Sequence, residues 1–174
     1  GSGTFVIEAA EIAARLNPGR LRHFAFEKLV TFDPQAWENM RSVTRQAETG
    51  INFYGRDRDN GAVKMSAEKA ERAGVDNLTE FKQQTISDMI PPTSTPGLVI
   101  INPPYGGRIG DKHKLRPLYQ TLGTVLRAHF SGWRVGIITS DKYLAKATAL
   151  PFLPENASVQ HGGLRVNLFQ TEAL

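Results

Sequence analysis

Asn102-Pro103-Pro104-Tyr105 is the stretch of this sequence best suited to chemistry. Two consecutive prolines fix φ and stiffen the backbone. On such a turn the Asn102 side-chain oxygen and the Pro103 carbonyl can both point at one amino group. Two acceptors can hold the two hydrogens of an exocyclic NH2, which favours a pyramidal nitrogen with its lone pair available for attack. Tyr105 can stack on the plane of a base, a contact worth about 1–3 kcal/mol. A rigid loop with a packing tyrosine would read the same way, and position favours the chemical reading. The turn directly follows Gly97 to Ile101, a short and wholly apolar run of the kind found in buried parallel strands. Ligands of parallel sheets bind beyond the carboxyl ends of such strands.

Two other places could serve a ligand. Gly1-Ser2-Gly3 precedes a helix, where glycines let the backbone approach a ligand and the helix N-terminus favours negative charge. Taken alone, that tripeptide reads more readily as a flexible leader. Asp57 ends a strand-like run from Ile51 and could accept hydrogen bonds from both ribose hydroxyls of an adenosine. Alternatively, Asp57 or Asp59 caps the following helix. Asp57 lies nearer the strand end and is assigned to the ribose, and Asp59 to the cap. No other catalytic set competes. His23, His113, His129 and His161 show no metal-ligand spacing, so no metal is expected. Ser87-Asp88 and Ser140-Asp141 lack nucleophile-elbow glycines, and the full phosphate-loop pattern is absent.

The elements that must position these residues alternate. A helix is predicted from Val6 to Ala14, stopped by Asn17-Pro18-Gly19, and Asp33-Pro34 opens another from about 35 to 48. A strand at 51–57 and a helix at 60–73 capped by Gly74 follow. Then come strands at 78–83 and 97–101, separated by the proline-rich loop 91–96, a helix at 115–130, a strand at 133–139 and a short helix at 141–147. The tail, 157–161 and 164–171 around Gly162-Gly163, reads as a β-hairpin. This order predicts an α/β fold: a mostly parallel, doubly wound sheet with a C-terminal antiparallel hairpin, in one domain over 1–174.

Composition sets the outer bounds. The absence of cysteine excludes disulfides, thiolate metal sites and a cysteine nucleophile, and fits a cytoplasmic protein. No apolar run approaches the roughly 20 residues of a membrane span, so no membrane partner is expected. A formal net charge of +4 and a pI near 9.5 give a mild preference for a polyanion.

These residues resemble the amino-methyltransferases of the Rossmann-like class I fold, whose Asn/Asp-Pro-Pro-aromatic motif holds the target amine. The likeness is narrower still to the THUMP-associated bacterial 23S rRNA guanine-N2 methyltransferases. Gly1-Ser2-Gly3-Thr4-Phe5 with Ile7-Glu8-Ala9-Ala10 looks like their cofactor loop, and Gly55-Arg56-Asp57-Arg58-Asp59 like their Gly-x-Asp-x-Asp strand end. Asn102-Pro103-Pro104-Tyr105-Gly106 with Arg108 resembles their catalytic loop; Leu118-Tyr119, Leu122-Gly123, Gly132-Trp133 and Gly163-Leu164 match as well.

The resemblance covers nearly the whole chain. It implies S-adenosylmethionine as cofactor, N2-methylguanine as product and Asn102, Pro103, Pro104 and Tyr105 as the catalytic set. Gly1, Ser2, Gly3, Thr4, Asp57, Asp88 and Asn102 would contact the cofactor, with Asp88 facing the adenine amino group. Tyr105 and Arg108 would contact the substrate. The implied partner is RNA, with a THUMP-like RNA-binding domain upstream. The family's cofactor motif starts before Gly1, in a strand that would lie between 51–57 and 97–101. The chain is therefore expected to be an N-terminally incomplete catalytic domain lacking its first strand. Two other readings share the motif or the fold: a DNA adenine-N6 methyltransferase, and a non-catalytic Rossmann-like module that binds RNA or nucleotides.

Overall fold

A computed structural model describes residues 1–42, 49–105, 112–155, 157–161 and 163–174. The chain divides into two compact units, Gly1–Gln84 and Thr85–Leu174.

The first unit runs α1 (Thr4–Ala13), α2 (Pro34–Ser42), β1 (Phe53–Asp57), α3 (Asn60–Ala73) and β2 (Thr79–Gln83). β1 and β2 pair in parallel, with Gly55 opposite Phe81. Apolar residues at helical spacing on α1 and α3 cover this pair. Ile7, Ala10, Ala70 and Val75 are buried, with Leu16, Phe53, Leu78 and Phe81 packed around them. Asp59 and Gly74 bound α3 as their residue types require. The Asp59 carboxylate accepts from the Ala62 amide, and Gly74 closes the helix at φ 67°. The segment between α1 and α2, irregular in sequence, is organised by an aromatic cluster of Phe24, Phe26, Phe32 and Trp37. The predicted helix over 35–48 is present as α2, and residues 43–48 lie outside the described residues.

The second unit runs β3 (Leu98–Ile101), α4 (Lys112–His129), β4 (Arg134–Thr139), α5 (Lys142–Ala147), β5 (Ala157–His161) and β6 (Leu164–Gln170). Its sheet has the order β3-β4-β6-β5. β3 and β4 are parallel, while β6 runs antiparallel to both β4 and β5, which is the expected hairpin. Leu115, Tyr119, Leu122 and Leu126 form the buried stripe of α4 and meet Val135 and Ile137 of β4 and Leu144 of α5.

Two details differ from expectation, the one-sided burial of β3 and the start of α4. β3 is an edge strand buried on one face only: Val99 and Ile101 pack on the core, whereas Leu98 and Ile100 are 53% and 38% exposed. Helix α4 begins at Lys112 and carries Pro117 inside it. Pro117, in the second turn, lacks the amide that would bond the carbonyl four residues back, and the helix continues past it. Close packing of α4 is set by Gly123, where a Cβ would lie 1.8 Å from the Thr148 carbonyl oxygen. Among the described residues, no helix is long and apolar enough to cross a membrane.

Candidate active site

In the first unit the structure brings Gly1–Thr4 and Asp57 together. Gly3 caps α1 at φ 75°, a left-handed conformation that favours glycine. A Cβ there would lie 2.7 Å from the Ser66 Cβ and 3.3 Å from the Phe81 ring. The same ring covers Gly55, where a Cβ would lie 2.3 Å from it. The two glycines therefore let β1, α1 and α3 converge on one point. Ser66, almost fully buried, donates its hydroxyl to the Ala62 carbonyl at 2.8 Å and lies 3.3 Å from the Gly1 carbonyl. Ser2 and Thr4 share a hydroxyl–hydroxyl bond of 2.8 Å.

At the end of β1 the two acids divide their work. Asp57 accepts the Asp59 amide on one carboxylate oxygen at 2.9 Å, and the Gly1 amino nitrogen touches the other. Asp59 accepts the Ala62 amide at 2.8 Å and so caps α3. Asp57 does not cap the helix, and its carboxylate is 25% exposed beside the glycine turn. A narrow glycine bend next to a strand-end carboxylate is a donor and acceptor set that fits an adenosine ribose.

In the second unit, Asn102-Pro103-Pro104-Tyr105 directly follows β3. Asn102 and Pro104 are exposed, Pro103 is buried, and Tyr105 is half-buried against the core. The turn thus presents Asn102 to solvent on a buried proline footing. Tyr119 of α4, fully buried, places its hydroxyl 3.3 Å from the Pro104 carbonyl oxygen. Asp88 lies in a single 3-10 turn, Ile86–Asp88, that begins after Thr85. Its carboxylate accepts the Thr85 hydroxyl at 2.8 Å. Ile86 and Met89 anchor that turn on the core that also supports Tyr105. Arg108 lies outside the described residues, as do Gly106 and Gly107.

Residues 1–165 match the UPF0020, RMKL-like methyltransferase domain. The chain belongs to that family. Among curated relatives, ribosomal RNA large subunit methyltransferase K/L of Legionella pneumophila (strain Lens) is 41% identical over 153 residues. That match covers 86% of this chain and 22% of the relative, so the chain spans about a fifth of such proteins. Among solved structures, a possible methylase from Clostridium difficile 630 superposes with a TM-score of 0.89 at 32% identity. It is matched over 100% of this chain and 46% of its own. The structure of SMU.472 complexed with SAH gives 0.87 at 29% identity, over 100% of this chain and 46% of that one. The Rossmann-like methyltransferase fold expected from the sequence is therefore the fold of this chain.

In this methyltransferase domain Ser66, Phe81, Thr139 and Asp141 carry no role readable from the sequence, and Tyr119 has only a place in a matching motif. Gly55 opposite an aromatic in the next strand was a usable signal for Phe81. A tyrosine on the buried stripe of α4 was a usable signal for Tyr119, because a buried phenol needs a hydrogen-bond partner.

Proposed function

We propose that this chain is the catalytic domain of an S-adenosylmethionine-dependent methyltransferase acting on the exocyclic amino group of a base in ribosomal RNA, N2 of a guanine in 23S rRNA. The observation that carries this reading is the Asn102-Pro103-Pro104-Tyr105 turn at the carboxyl end of β3, with Asn102 exposed and its proline footing buried. The family match and the named activity of the Legionella protein support ribosomal RNA as the substrate. SAH in SMU.472 supports the cofactor, of which SAH is the demethylated form.

The residues take the following parts. Gly1, Ser2, Gly3 and Thr4 form the bend that receives the cofactor, Asp57 accepts its ribose hydroxyls and Asp88 faces its adenine amino group. When bound, S-adenosylmethionine supplies a methyl group already activated by a cationic sulfur. The Asn102 side-chain oxygen and the Pro103 carbonyl each accept one hydrogen of the target NH2, which directs its lone pair toward the methyl carbon. Asn102 is assigned to the cofactor as well as to the base. Tyr105 stacks on the base, which must leave any duplex or stack to reach it. Arg108 contacts the RNA. Positioning supplies most of the rate enhancement, and no metal or covalent intermediate is needed. In the full-length protein a THUMP-like region would supply much of the grip on RNA, in the cytoplasm.

The test is nucleoside mass spectrometry of 23S rRNA from cells lacking the gene. The expected result is loss of one N2-methylguanine. Intact N2-methylguanine with loss of N6-methyladenine from DNA would overturn the reading in favour of a DNA adenine methyltransferase.

A further inference from the structure

We infer that Tyr119 is a positioning residue for the Asn102–Tyr105 turn, holding the Pro104 carbonyl through its hydroxyl and so orienting Tyr105. The inference rests on the proposed function. Its physical basis is a shortage of donors. Pro103 and Pro104 have no backbone N–H, so the turn cannot tie itself down through amides at those positions. Its carbonyls are the available handles. The Pro103 carbonyl is assigned to the target amine, which leaves the Pro104 carbonyl for the protein.

Tyr119 meets that need from a rigid base. Its ring is fully buried among the apolar residues of α4. Its hydroxyl lies 3.3 Å from the Pro104 carbonyl oxygen and 3.4 Å from the Thr139 hydroxyl. Thr139, fully buried at the end of β4, accepts the Asp141 amide at 3.1 Å. Asp141 in turn caps α5 by accepting the Tyr143 and Leu144 amides at 2.9 and 3.1 Å. The turn is thereby tied to α4, the end of β4 and the start of α5. Burial, with added repulsion from Asp141 and Tyr105, pushes the Tyr119 phenol above its ordinary value, so it stays protonated and able to donate. The Pro104 carbonyl belongs to the peptide that leads into Tyr105. Fixing that plane restricts the backbone on both sides of it, and with it the direction of the Tyr105 ring.

The experiment compares full-length wild-type protein with Tyr119→Phe and Asn102→Ala. Methyl transfer from tritiated S-adenosylmethionine to 23S rRNA from cells lacking the gene is followed, together with cofactor affinity and thermal midpoint. Tyr119→Phe keeps the ring and loses only the hydroxyl. Its kcat should fall about tenfold, with cofactor Kd and RNA KM within about twofold of wild type and a thermal midpoint lower by no more than the few degrees that one lost hydrogen bond costs. Wild-type kcat in Tyr119→Phe, beside an inactive Asn102→Ala, overturns the positioning role and leaves the proposed site standing. A kcat loss that tracks equal losses in affinity and thermal midpoint makes Tyr119 a packing residue and also overturns it. Near-normal turnover in Asn102→Ala removes the proposed site and this inference with it.

Discussion

The strand ends of β1 and β3 both carry candidate residues, and they are supported in different ways. At the end of β1, the amides that hold both carboxylates are short-range, beside the Gly1 amino nitrogen that reaches Asp57 from far along the chain. Asp57 is held by the amide of Asp59, and Asp59 by the amide of Ala62, all within one turn of chain. At the end of β3, support comes from far along the sequence. Pro104 is met by Tyr119, and Tyr119 lies against Thr139. The contrast follows from backbone chemistry: an acid at a helix start finds free amides beside it, whereas a double proline offers none. A strand-end carboxylate can therefore be placed by local rules, while a double-proline turn depends on packing against α4 and the end of β4.

That contrast can be broken by substitution. The largest effect is expected at Asn102. Asn102→Ala should slow methyl transfer at least about 100-fold, or about 2.7 kcal/mol, with little change in cofactor affinity. Steady-state kinetics beside calorimetry measure both, and near-normal turnover would remove the β3 end from the chemistry. A smaller effect of another kind is expected at Asp57. Asp57→Ala should weaken S-adenosylmethionine binding by about 1.5–3 kcal/mol, the range for a hydrogen bond to a charged group. An unchanged dissociation constant would leave Asp57 with only its contacts in the loop. The smallest effect is expected at Asp59, where loss of the cap in Asp59→Ala should cost about 1 kcal/mol of stability in a denaturant melt. If Asp59→Ala weakens cofactor binding as much as Asp57→Ala, the division of labour between the two acids is wrong.

The same contrast explains what could be read in the sequence. The Asp59 cap, the Gly74 stop, the apolar runs of β3 and β4 and the hairpin of β5 and β6 are all encoded by neighbours in the chain, and the structure has each of them. The Asn102–Tyr105 turn was legible because its residue types are unusual and follow a strand. Its anchoring was not, because nothing near Pro104 points to position 119. The aromatic cluster between α1 and α2 escaped for a similar reason, since Phe24, Phe26, Phe32 and Trp37 follow no helical or strand period. One-sided burial of β3 was equally hidden, because an all-apolar run has no alternation to reveal which face is covered.

On the proposed function, the β3 turn directs a methyl group to an exocyclic amine. The most direct test is to label 23S rRNA with tritiated S-adenosylmethionine and the full-length protein, digest it to nucleosides and identify the labelled product. Label on N2-methylguanosine is expected, and about 100-fold less of it after Asn102→Ala in the same time. Label on a ring carbon or a ribose oxygen would contradict that function.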